Sequence, residues 1–188
     1  MISWRKAGLT GFFLFVTASP HAQAETAALL SQALDARPSA TLVLQDYCQH
    51  KFPGIAIRAV TLPVGNTPPP PPDIALFALK KGETIRTRHV SLRCGEIALS
   101  DAWNWYVPQR VTTEMNRILE RSTKPFGLVV ASLNFKRLSL SSETRDLPDT
   151  ILVRNQALLE RGKDGLPFSL VEENYLSDGF SRLNGDPD

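Results

Sequence analysis

Apolar residues recur along this chain in two rhythms, and the switches between them mark out its elements. Residues 25–36 carry the spacing of a helix, and Ser39 is a natural N-cap for a second one built on Leu42, Val43, Leu44 and Tyr47. Pro53-Gly54 then opens a stretch in which Ile55, Ile57 and Ala59 alternate with Ala56, Arg58 and Val60, until Pro63 and Gly65-Asn66 stop it. Residues 84–93 and 96–107 alternate in the same way and predict a hairpin through Cys94-Gly95, ended by Pro108. Thr112 can cap a helix whose Met115, Ile118 and Leu119 fall at i, i+3 and i+4. Residues 135–140, 151–160 and 168–176 return to alternation, the last two joined by Gly162-Lys163-Asp164-Gly165. Helices early, hairpins late and one helix between them predict a single α+β domain, an antiparallel sheet covered by helices.

The amino terminus changes which residues count. Arg5 and Lys6 precede an apolar run over 7–18, followed by Pro20 and Ala22-Gln23-Ala24, the pattern of a secretory signal peptide cut after Ala24. Read as an anchor instead, the run is short against the ~20 residues a bilayer needs. The expected organisation is a signal peptide over 1–24, the domain over 25–180 and a flexible tail over 181–188. Loss of Arg5 and Lys6 leaves the mature chain with equal numbers of basic and acidic residues. Such a chain offers nucleic acid no electrostatic footprint, and its mature part has no stretch long enough to span a membrane. A periplasmic or secreted location follows as the expectation. The even pair Cys48 and Cys94 then favours a disulfide over two buried thiols.

Candidate chemistry is sparse. His50 and His89 stand in no metal-ligand spacing with the cysteines, so no zinc site is expected. The five prolines of 68–72 form an extended segment, either a stiff connector to the apolar stretch 74–79 or a ligand for a proline-binding partner. Trp103 and Trp105 share a strand side with Ile97, Leu99 and Val107 and are expected in the core. Alternation also puts two charges on what read as inner faces: Arg88 with Val90 and Leu92, and Glu172 with Phe168 and Leu170. Either they pair or snorkel to the rim, or they line a pocket where Arg88 binds a carboxylate and Glu172 meets a hydroxyl or ether oxygen.

The order Arg88, then Trp103-Asn104-Trp105-Tyr106-Val107-Pro108, then Pro125-Phe126-Gly127, then Pro167-Phe168-Ser169-Leu170-Val171-Glu172 resembles the chorismate lyase family, most closely an exported bacterial subgroup. The similarity is good over 84–176 and only in outline before that. It implies a helix-covered antiparallel sheet with a small enclosed cavity, and cofactor-free elimination of pyruvate from chorismate to give 4-hydroxybenzoate. Carried over, Arg88 binds the substrate carboxylate, Glu172 is the catalytic acid–base, the Phe126 backbone contributes to the site and Arg154 assists. Phe126 stands where the family has leucine, and export separates the chain from cytoplasmic chorismate. The alternative is a non-catalytic periplasmic protein that binds a small cyclic carboxylate in the same cavity, since the same architecture also serves as an effector-binding module. A further alternative is an interaction protein that presents the proline run.

Overall fold

The computed structural model describes residues 20–65 and 69–185; residues 1–19, which hold most of the expected signal peptide, 66–68, which include Pro68, and 186–188 lie outside them. Helices α1 (Pro20–Ala36) and α2 (Ala40–Lys51) come first, then strand β1 (Ile57–Thr61) and a 3-10 turn, Ile74–Phe77. The hairpin β2 (Arg86–Cys94) and β3 (Ile97–Tyr106) follows, then α3 (Thr113–Arg121) and the short α4 (Phe126–Val129). Strands β4 (Lys136–Glu143), β5 (Ile151–Glu160) and β6 (Pro167–Leu176) lead to α5 (Ser177–Asn184). The strands form one six-stranded sheet in the order β1-β2-β3-β6-β5-β4. Every neighbouring pair is antiparallel. The expected α+β class is therefore what the chain adopts.

Both expected helix caps are in place, but only one works through its side chain. Thr112 accepts the Met115 N–H at 3.1 Å, whereas Ser39 makes no such bond at the head of α2. Met115 and Leu119 are buried and Ile118 packs beside them, as the spacing requires. The α2 helix is fixed at its other end by a Cys48–Cys94 disulfide to the end of β2. Closing a loop of 46 residues stabilises by about 4 kcal/mol in the chain-entropy account.

The helices pack on one face of the sheet. Leu30 and Leu34 of α1, Val43 and Leu44 of α2 and Phe180 and Leu183 of α5 meet Val90, Leu92, Ala102, Val153 and Tyr175. Next to them, α3 and α4 cover Tyr106, Ala157, Leu159, Phe168 and Val171. The opposite face has a smaller cluster, in which Phe77 of the 3-10 turn closes over Trp105, Val107, Leu158 and Leu170. Trp105 donates its indole N–H to the Pro69 carbonyl at 2.8 Å, which holds this point of the proline segment against that face.

Two bulges correct the face assignments read from alternation. The β2–β3 register steps from Leu92↔Ser100 to Arg93↔Ala98, which leaves Leu99 as an extra residue. Ile97 and Leu99 thus join the helix-side core, while Trp105 lies on the opposite face and Trp103 stacks there on His89 at 3.9 Å. In the same way β5–β6 steps from Leu159↔Ser169 to Glu160↔Pro167, and Phe168 is the extra residue. A bulge inverts the period of two beyond it. Phe168 faces the helices, but Leu170, Glu172 and Asn174 do not; the helix side carries Ser169, Val171, Glu173 and Tyr175.

Residues 181–184, placed by expectation in a flexible tail over 181–188, are helical. Here α5 continues to Asn184 with Leu183 buried, and Gly179 sits so close to the β3 backbone that a Cβ would lie 2.1 Å from the Ala98 carbonyl oxygen.

Candidate functional site

Between the head of α2, the α4 turn and the helix-side face of the sheet is a cavity of about 50 Å³, room for a few waters or one small carboxylate-sized group. Ser39, Ala40 and Thr41 of α2 form one wall, Phe126, Gly127 and Phe135 another, and Arg88, Asn104, Arg137 and Glu173 the polar floor. The Pro125-Phe126-Gly127 turn makes the enclosure. A Cβ on Gly127 would meet Ser39 Oγ at 2.6 Å, so glycine lets α4 sit directly against α2. Phe126 is wedged into an aromatic group, 5.6 Å from Tyr106 and 6.2 Å from Phe168 between ring centres.

Arg88 reaches this floor because it lies opposite Asn104 in the β2–β3 ladder, on the helix side. Both terminal nitrogens are sealed from solvent, and neither has a hydrogen-bond partner among the described residues. Burial pushes its pKa below the ordinary value, with nearby Tyr106 acting the other way; a guanidinium still stays charged. Asn104, 3 % exposed, donates from Nδ2 to Ser169 Oγ at 2.6 Å, while its Oδ1 has no partner among the described residues. The first turn of α2 adds the positive end of a helix dipole whose cap side chain is not engaged.

The remaining charges on the floor are spoken for. Arg137 Nη2 donates to Glu173 Oε2 at 2.9 Å, and the buried Tyr175 hydroxyl donates to the same oxygen at 3.0 Å. Burial, reinforced by Glu173, raises the Tyr175 hydroxyl well above its usual range and keeps it a donor. With that ion pair neutral, Arg88 leaves the cavity one net positive charge.

The sequence-derived site residues divide between the two faces. Arg88 and Phe126 line the cavity; Glu172 and Arg154 do not. Glu172 pairs with Trp103 across the ladder on the opposite face and accepts from Gln156 at 2.9 Å. Arg154 donates there to Asn174 at 2.9 Å and lies 3.8 Å from Glu143. Glu172 was misplaced because the alternation was counted from Phe168, across the bulge. His89, on that outer face too, sets Nε2 2.7 Å from Asp101 and Nδ1 3.2 Å from the Pro63 carbonyl, which ties it to the sheet. Among the described residues no group of three His, Cys, Asp or Glu could hold a metal, and no helix is long and apolar enough to cross a membrane.

The lyase expectation is corrected by this geometry, since Glu172 is not at the cavity with Arg88. No family model matches the chain. Of solved structures, a possible transcriptional regulator, YydK of Bacillus subtilis, aligns with TM-score 0.42 and 12% identity over 65% of this chain and 58% of that one. The ligand-binding domain of a GntR-family transcriptional regulator from Bordetella bronchiseptica aligns with TM-score 0.37 and 16% identity over 66% of this chain and 81% of that one. Glu172, the residue carried over as the lyase acid–base, pairs with Trp103 on the face away from Arg88 and the cavity. The uncharacterised protein y4mC of Sinorhizobium fredii is 36% identical over 179 residues, which cover 82% of this chain and 73% of that protein. The chain belongs to the same family as y4mC.

Proposed function

We propose that the protein is an exported, non-catalytic binder of a small carboxylate, held between the head of α2 and the sheet. The observation that carries this is Arg88, whose two sealed terminal nitrogens meet no protein acceptor. A buried charge left unpaired is costly, and a carboxylate supplies the planar, bidentate acceptor that a guanidinium fits. The first turn of α2 supports the same ligand from the other side. Binding is favoured over catalysis because Glu173, the carboxylate on the cavity wall, is committed to Arg137 and Tyr175 and is not free to exchange a proton with a ligand. The leader pattern and the Cys48–Cys94 bridge support a ligand met outside the cytoplasm.

Calorimetric titration of the mature protein with propionate and with its uncharged isostere propionamide tests this reading. Propionate should bind, propionamide should bind at least about tenfold more weakly, and Arg88→Met should abolish the preference. Equal affinity for acid and amide would refute it.

A further inference from the structure

Taking the carboxylate-binding reading as given, we infer that the ligand is a short hydroxy-monocarboxylate, with Asn104 as the residue that selects the hydroxyl. Asn104 stands beside Arg88 in the ladder, lines the same cavity and is 3 % exposed. Its Nδ2 gives a hydrogen to Ser169 Oγ, and the carboxamide oxygen, Oδ1, is a buried acceptor with no donor among the described residues. A buried acceptor of this kind asks for a donor on whatever fills the space. Arg88 asks for a carboxylate and Asn104 for a hydroxyl, and neighbouring positions on adjacent strands hold the two within the span of a small molecule.

Charge and size narrow the class further. Arg137 and Glu173 neutralise each other 2.9 Å apart, and their side chains are each 9 % exposed. Arg88 therefore has one negative charge to match. A second carboxylate on the ligand would be brought toward Glu173 with no cation free to receive it, and like charges in a poorly solvated site repel strongly. A space of about 50 Å³ also excludes large ring systems unless the walls move apart. Val90, Leu92, Leu159 and Val171 complete an apolar lining suited to a short carbon chain.

The test ranks propionate, lactate, pyruvate and malonate by calorimetry on the mature protein. Lactate should bind about tenfold more tightly than propionate, because propionate leaves Oδ1 without a donor. Pyruvate, which puts an acceptor against an acceptor, should fall below lactate, and malonate below both. In Asn104→Leu the lactate-to-propionate ratio should collapse to about one. If that variant does not fold, the wild-type ranking decides alone. Lactate no tighter than propionate, pyruvate preferred to lactate, or malonate equal to lactate would each overturn this inference and leave the carboxylate reading standing. No binding of any of the four acids would overturn both.

Discussion

Arg110 and Arg88 both carry guanidinium nitrogens closed off from solvent, and the protein treats the two differently. Arg110, 2 % exposed, follows β3 and has acceptors for its whole fork. Its Nε donates to Glu83 at 2.9 Å, Nη1 to the Phe77 carbonyl at 2.7 Å and Nη2 to the Ala78 carbonyl at 3.1 Å. Further bonds join it to the second Glu83 oxygen and to the Pro167 carbonyl. It staples the 3-10 turn and the segment before β2 to the start of β6. Arg88, on the helix side, has none of these partners. A guanidinium satisfied by carbonyls and a carboxylate is architecture, whereas one enclosed beside a cavity without acceptors is equipped to receive one.

The sharpest way to break this contrast is to truncate both. Arg110→Met strips donors from the Phe77, Ala78 and Pro167 carbonyls and should cost about 3 kcal/mol or more in urea unfolding. Arg88→Met removes a charge with no protein partner and should leave stability within about 1 kcal/mol of wild type, or raise it. Comparable losses in both variants would mean that Arg88 is structural too.

Acid titration sharpens the Arg110 side. The side-chain bonds from Arg110, helped by the Lys80 backbone N–H, hold the Glu83 carboxyl down from 4.5 to about 2. A depressed carboxylate contributes stability that is complete above its ordinary pKa and is lost as pH falls through the folded value. Glu83 should therefore protect the fold above pH 4.5 and progressively cease to do so toward about pH 2. In urea midpoints measured across that range, Glu83→Gln should flatten the acid slope, and an unchanged slope would remove this link. Smallest of the effects, Gly127→Ala should push α4 against Ser39 and cost about 1 kcal/mol, since the obstructing atom is a rotatable hydroxyl. Pairing it with Ser39→Ala should restore the wild-type melting temperature; failure to do so would place the strain elsewhere.

Much of this fold is legible in the sequence because its signals are local. The caps Ser39 and Thr112, the Cys94-Gly95 hairpin and the alternating runs of β5 and β6 each act within a few residues. The site was half legible for the opposite reason. Arg88 lies where β2 alternates cleanly, and its helix-side position follows from Val90 and Leu92. Glu172 lies beyond the Phe168 bulge, and nothing in Pro167-Phe168-Ser169 announces an extra residue. Buried Leu170 on the opposite face made matters worse, since a sheet with a core on both sides blurs inside and outside. Glu173 was hidden by that bulge, and Asn104 by the separate bulge at Leu99 in β3. Arg110 gave no signal, because its acceptors, Glu83 and the carbonyls around it, are far from it in sequence.

The most direct test of the account is ligand-induced stabilisation measured by urea unfolding at saturating lactate. The wild-type protein should gain stability by mass action, about 2.7 kcal/mol at a hundredfold excess over Kd; Arg110→Met should gain the same increment on its lower baseline, and Arg88→Met none. An equal gain in Arg88→Met, or no gain in the wild type, would contradict the claim that Arg88 is held in reserve for a carboxylate.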